Sequence, residues 1–340
     1  MKTDIISLNK DVESLVIQAS KSRSQAVFKD EIIPLTFAHF ADVHNVLSAW
    51  NRIVEYVNYY SNYISFALHT GDYCGGSQKL YTDFYNSGIK CNKPIYNCVG
   101  NHDCYSGEGE WVLNKKEVAY NLLFNNIKNW NVNFLNVPYS MSYYKDFPSS
   151  NLRLIVLDDY YHINETRVWL ENLLNDANKK GIHVITAQHE STNFITKPLP
   201  CNFNTIDDYV NLWIEGEKNR TPVYDSMGRP LYEDIIVNFI NNGGKFVCNL
   251  AGHDHIDEFG YTDKGVLNVV VANATTWDAI SDIKRVENTK SQDLFNVFTV
   301  DTNLGVIKIV RVGANVDHCL RKRVAICYDY INKKIISEVK

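Results

Sequence analysis

Residues 35–44 read LTFAHFADVH and residues 245–255 read KFVCNLAGHDH. Each is a short run of apolar and β-favouring residues that stops at a polar block: Asp42 and His44 in the first, His253 and His255 in the second. Working outward, similar runs at 64–70, 94–99, 152–158 and 183–187 read as strands. The segments between them, near 47–60, 78–87, 116–129, 165–179 and 231–242, read as helices. Strands alternating with helices make a sheet covered by helices. The last third changes character, because runs at 266–272, 294–300, 306–311 and 324–328 follow one another without long helices. They predict a largely antiparallel second sheet closing on the first. The expected fold is α/β: a four-layer α/β/β/α sandwich of two stacked mixed sheets, in one domain spanning residues 1–340.

Three parts of the chain are distinguished within this single domain. Residues 1–30 form an N-terminal extension, with a short amphipathic helix expected at 11–20, and residues 265–340 carry the second-sheet strands and a C-terminal extension. Residues 190–230 hold four prolines and several aromatics, among them Phe194, Phe203, Tyr209, Trp213 and Tyr224. A connection that long is usually functional, and it is expected to cap the site.

Five polar clusters follow five of the strands: Asp42 with His44, Gly71-Asp72, Gly100-Asn101-His102-Asp103, His189, and Gly252-His253-Asp254-His255. In α/β sheets ligands bind at the carboxyl ends of strands, so clusters remote in sequence can converge there. Asp, Asn and His without a thiolate suit manganese, iron, zinc or nickel. Residues i and i+2 of an extended strand point to one side, which would aim Asp42 with His44, and His253 with His255, at a common point. Glycines at 71, 100 and 252 permit sharp turns and close approach.

The ordered set D-x-H, G-D, G-N-H-D, a lone His and G-H-x-H resembles the calcineurin-like metallophosphoesterase superfamily, in its G-N-H-D branch of small phosphodiesterases and phosphatases. The resemblance implies two divalent or trivalent transition metals, manganese or iron foremost and zinc or nickel as alternatives. Asp42, His44, Asp72 and His255 would hold one and Asp72, Asn101, His189 and His253 the other, with Asp72 bridging. It further implies His102 and Asp103 as catalytic residues, His102 facing the leaving group and Asp103 orienting it. Two such cations lower the pKa of a shared water and clamp phosphate oxygens, so the expected activity is metal-dependent hydrolysis of phosphate esters, diesters in particular, by a bridging hydroxide with His102 as general acid. A phosphomonoesterase of the same fold and a non-catalytic scaffold are the competing readings; the complete ligand set speaks against the scaffold. Tyr73-Cys74-Gly75-Gly76 after Asp72 lacks the arginine block of protein serine/threonine phosphatases, and Gly75 stands where purple acid phosphatases carry a tyrosine.

Composition fits this reading. With 45% hydrophobic and 21% charged residues, the 340-residue chain has a globular make-up. A net charge of −5 speaks against a nucleic-acid-binding face, although bound cations could still attract a small anionic substrate. The eight cysteines form no CxxC pair and read as reduced thiols. The N-terminus lacks the apolar stretch of a signal peptide and no run reaches the ~20 apolar residues of a membrane span, so a cytoplasmic protein acting on a small phosphate ester is expected. His39 and His69 are expected in the core or hydrogen-bonded to ligand residues, and Cys104 is expected to pack.

Overall fold

The computed structural model describes residues 32–73, 78–104, 116–124, 131–193, 195–198, 232–255, 257–275, 285–289, 291–314 and 325–339. The helix expected at 11–20 and most of the expected cap at 190–230 lie outside these residues.

Fifteen strands are described, in chain order β1 Leu35–Phe40, β2 Phe66–His69, β3 Ile95–Asn97, β4 Asn133–Phe134, β5 Tyr143–Phe147, β6 Leu152–Val156, β7 His183–Ala187, β8 Ile195–Pro198, β9 Phe246–Ala251, β10 Glu258–Thr262, β11 Leu267–Val270, β12 Leu294–Asp301, β13 Val306–Gly313, β14 Ala325–Asp329 and β15 Lys334–Val339. Helices are α1 Leu47–Tyr59, α2 Gln78–Gly88, α3 Asn101–Cys104, α4 Lys116–Leu123, α5 Ile163–Lys180 and α6 Glu233–Asn241. The strands form a seven-stranded sheet, β15-β14-β13-β12-β1-β2-β3, and an eight-stranded sheet, β4-β5-β6-β7-β9-β11-β10-β8. Both are mixed: β1 lies parallel to β2 and antiparallel to β12, while β7 lies parallel to β9 and β10 antiparallel to β11.

The division between the sheets differs from the expected one. The C-terminal strands β12–β15 do not make a sheet of their own; β12 pairs antiparallel with β1 and extends the sheet of β1–β3. The expected strand at 266–272 runs as β11 beside β9 instead. The run at 64–70 and that at 152–158 thus end in different sheets, because periodicity marks which residues are strand but not which edge they join. Strands β4, β5, β8, β10 and β15 had no counterpart in the sequence reading. In β10 the run Glu258–Thr262 holds a Glu and a Gly, both poor strand formers, and is kept extended by partners on both sides.

Aromatic side chains fill the space between the sheets. Phe37 stacks on Phe66 at 4.7 Å and on Phe298 at 5.2 Å, and Phe66 meets Phe147 of the opposite sheet at 5.1 Å. The other face of β1 carries Phe40 against Trp50 of α1, so α1 covers the seven-stranded sheet. On the far side, α5 places Leu170, Leu174 and Ala177, one face at helical spacing, in a cluster with Ile155, Val184 and Phe239. That helix ends at Gly181, whose left-handed conformation lets the Ile182 N–H bond the Ala177 carbonyl. Phe37→Ala is expected to cost about 3–5 kcal/mol of unfolding free energy, as large-to-small changes at fully packed aromatic sites do, measurable by urea titration.

Candidate metal centre

Each expected ligand follows the last residue of a strand. The chain leaves β1 at Phe40 and turns through Asp42 and His44; it leaves β9 at Ala251 and turns through His253 and His255. The alternation argument does not explain their convergence. Asp42, His44, Asp72, His253 and His255 all have positive φ, between 44° and 69°, so the backbone is left-handed there and not extended. Side chains of that type occupy the left-handed region at a cost, and clustering of such residues is characteristic of functional sites.

Close approach of the turns requires the glycines. A Cβ on Gly100 would strike the Asp72 carboxylate and amide, one on Gly71 would strike the His189 ring, and one on Gly252 would sit 2.7 Å from Asp42 Oδ2. The backbone at these points is in contact with the side chains it serves.

The structure brings all seven expected ligands together. In one group, His44 Nε2 lies 2.7 Å from His255 Nε2, and the two nitrogens lie 3.8 and 3.6 Å from Asp42 Oδ1. In the other, His189 Nε2 is 2.9 Å from Asn101 Oδ1, 3.2 Å from His253 Nδ1 and 3.4 Å from Asp72 Oδ2. Asp72 joins them, since its Oδ2 is also 3.9 Å from His44 Nε2. A donor set of this kind fits transition-metal cations: oxygen and imidazole nitrogen, no thiolate, in three overlapping groups, Asp42-His44-His255, His44-Asp72-His102 and Asp72-His189-His253. Asp42 Oδ1 is fully buried and has no hydrogen-bond partner among the described residues, a costly arrangement for a carboxylate unless a cation meets it.

Charge is arranged in the same sense. Burial by itself would push the Asp72 carboxyl up, but the His189 ring and then His102 and His44 hold it well below the usual carboxylate range. Burial would lower His189, and Asp72 overrides it, raising the ring well above the ordinary histidine value. Burial lowers His44 to about 4, leaving a neutral ring able to donate a lone pair. The Nδ1 of His189 donates to the Thr70 carbonyl at 2.6 Å, which aims Nε2 at Asp72 and Asn101.

His102 stands at the rim. Its Nε2 is 3.9 Å from Asp72 Oδ2 and its side chain is 30% exposed, against 6% for His44, 12% for His255 and 0% for His189. The Asp72 Oδ1 atom accepts the His102 backbone N–H at 2.8 Å. Asp103 lies beneath the same turn. Its buried carboxylate accepts the N–H groups of Asp72, Tyr73 and Gly100 at 2.9–3.0 Å, so it fastens the Gly71-Asp72 turn to the Gly100-Asn101 turn. Asp103 thus holds the two loops on which Asp72, Asn101 and His102 stand.

His39 and His69 are fully buried, and burial lowers both to about 3. His39 bonds the Thr70 hydroxyl at 3.0 Å, and His69 packs 3.9 Å from the Tyr73 ring. Burial pushes the Cys104 thiol up, which makes it an inert packing group. The described cysteines Cys91, Cys98, Cys104, Cys248 and Cys327 are free thiols.

A sixth strand-end cluster escaped the sequence reading: Asp158-Asp159 after β6, both fully buried. The signal was present, since two acids end an apolar run, but no metal-ligand spacing marked them. Asp158 Oδ1 accepts the Tyr160 and Tyr161 N–H groups at 2.9 and 3.0 Å, while Oδ2 has no partner among the described residues. Burial pushes the Asp158 carboxyl up to about 7, against the pull of those two donors. A carboxyl with a folded pKa above its unfolded one binds more protons when folded, so its contribution is full below about pH 4 and is lost as pH rises through 7. Asp158→Asn keeps an acceptor for both N–H groups and removes the titration. It is expected to exceed the parent in stability by on the order of a few kcal/mol at about pH 8 and to match it near pH 4. Urea titrations giving the same difference at both pH values would rule this out.

Among the described residues, no helix is long and apolar enough to cross a membrane. A dimetal phosphatase from Danio rerio shares the fold, with 12% identity over 88% of this chain and 100% of its own, at a TM-score of 0.53. A purple acid phosphatase from yellow lupin seeds matches with 13% identity over 92% of this chain and 54% of its own, also at 0.53. Among curated proteins, none matches the chain in sequence. The calcineurin-like phosphoesterase profile matches residues 35–257, from the first residue of β1 to just past His255 and so across every cluster described above. The chain belongs to the calcineurin-like phosphoesterase family, whose members are metal-dependent phosphoric ester hydrolases.

Proposed function

We propose that this protein hydrolyses phosphodiesters, with Asp42, His44, Asp72 and His255 holding one transition-metal cation, Asp72, Asn101, His189 and His253 holding a second, and His102 protonating the leaving oxygen. The observation that carries the reading is the position of Asp72, whose one oxygen lies 3.4 Å from His189 and 3.9 Å from His44, between the two donor groups. When bound, such a cation pair supplies a water of lowered pKa and positive charge for the phosphate oxygens. The oxygen and nitrogen donor set favours manganese or iron.

This chain's own residues do the rest. Asp103 and the three glycines hold the turns in register; the Thr70 carbonyl takes the His189 Nδ1–H and so points Nε2 inward. His102, more exposed than His44, His189 and His255 and 4.8 Å from His44 between ring centroids, can reach a leaving group arriving from solvent. Among the described residues, the ion-pair partners of Asp42 and Asp72 are histidines alone. A monoanionic diester asks for less positive charge from the site than a monoester dianion, which fits this set of partners among the described residues.

The test is turnover of bis-p-nitrophenyl phosphate, cyclic nucleotides and phospholipid head-group diesters against p-nitrophenyl phosphate, with protein reconstituted in manganese or iron. A higher kcat/KM on diesters supports the reading. Faster turnover of the monoester would reassign the protein as a phosphomonoesterase on the same site.

A further inference from the structure

His189, like Asp72 and Asn101, stands without a partner ligand in its own strand-end block. Its backbone is nonetheless fixed on both sides. The His189 carbonyl accepts the Gly252 N–H at 2.9 Å, and the His189 N–H donates to Asp159 Oδ2 at 3.0 Å. The same Asp159 oxygen accepts the Glu190 N–H at 2.9 Å. Asp159 comes from the neighbouring strand end, where β6 and β7 stay in register one step beyond their last ladder pair, through the Leu157 N–H to the Ala187 carbonyl at 2.8 Å. That turn is itself anchored, because the Asp158 carbonyl accepts the Tyr232 hydroxyl and Asp158 Oδ1 caps Tyr160 and Tyr161. Asp159 is 1% exposed, and its Oδ1 has no hydrogen-bond partner among the described residues. A fully buried carboxylate that spends one oxygen on two backbone N–H groups is expensive to keep. An apolar side chain in its place would leave the His189 and Glu190 N–H groups without this acceptor.

We propose that Asp159 is a positioning residue for the cation site formed by Asp72, Asn101, His189 and His253: by holding the His189 and Glu190 N–H groups it fixes where β7 hands over to the ligand and so sets the aim of His189 Nε2. The inference rests on the metal reading above. It assigns Asp159 no contact with substrate. Residues that orient a ligand from behind usually change metal affinity by 10–100-fold when removed, and the effect here should fall on one cation of the two.

The experiment is calorimetric titration of metal-free protein with manganese, for the parent, Asp159→Leu and Asp159→Asn. Leucine fills the space and removes the acceptor; asparagine keeps an oxygen that can accept both N–H groups. Asp159→Leu is expected to weaken one of two binding events by about 10–100-fold and leave the other unchanged, while Asp159→Asn stays within about threefold of the parent. General loosening of the fold would weaken both events and would spare neither variant. Two unaltered binding events in folded Asp159→Leu would overturn the proposal while leaving the metal reading intact; no binding to the parent would overturn the metal reading itself. If the leucine variant does not fold, hydrogen exchange on the parent decides. The His189 and Glu190 amides should be protected as strongly as those of β7, and fast exchange at both would refute the role of Asp159.

Discussion

Asp72→Ala is expected to reduce kcat/KM on any phosphate ester by more than about 10³-fold, beyond the loss seen when one transition-state donor is removed from an active site. The reason is geometric. Among the described residues, Asp72 Oδ2 is the carboxylate oxygen within 4 Å of histidines from both donor groups. Without it each group keeps only imidazole rings plus Asp42 or Asn101, and the two proposed cation sites lose their common ligand. Elemental analysis should therefore fall from about two transition-metal ions per chain to below one, the two-metal mechanism requiring both. Asp72→Asn separates charge from shape. It can still accept the His102 N–H that Asp72 Oδ1 accepts at 2.8 Å, yet it lacks the negative charge that offsets two cations. Asp72→Asn should therefore fold like the parent and fail like the alanine variant. A folded Asp72→Asn protein with parental metal content and activity would remove Asp72 from the bridge.

His102→Ala should keep both metals and lose about 10²–10⁴-fold in rate on alkyl esters, the range for removal of a general acid. The ring is 30% exposed and 3.9 Å from Asp72 Oδ2, close enough to share the site and open enough to meet substrate. By distance alone it could also be a ligand, because His44, Asp72 and His102 fall within one candidate metal group. Metal content distinguishes the two roles. Leaving-group dependence then tests proton donation: p-nitrophenolate departs without protonation, so aryl esters should lose much less than alkyl esters. Equal losses on both would make His102 a phosphate-positioning group.

Both experiments could have been designed from the amino-acid sequence, but the expectation that Asp72→Asn keeps the fold could not, because the His102 N–H accepted by Asp72 Oδ1 is seen only in the structure. In the sequence Asp72 is one acid after a glycine. The family resemblance implies it as a bridge, but its distances to both donor groups are seen only where the ends of β1 and β2, from one sheet, meet those of β7 and β9, from the other.

The sequence determined the identity of the strands that lead into the site and the side chains that end them, because a β-rich run stopped by Asp, Asn, His and Gly is a local pattern, readable without knowing its neighbours. Runs near 35–41, 183–187 and 245–251 became β1, β7 and β9 within a residue or so, and Asp42, His44, Asp72, Asn101, His189, His253 and His255 were named before they were seen to converge. Pairing was decided elsewhere. That β12 joins β1, and that β11 slips in beside β9, depends on which edges and faces remain open once the sheets stack, a property of the whole chain. The left-handed turns at Asp42, His44, Asp72, His253 and His255 were likewise invisible, since none is a glycine and only tertiary contacts can hold such residues there. Asp103 and Asp159 belong to the same class. Their carboxylates act on backbone N–H groups at distant positions, and backbone donors carry no mark in the sequence.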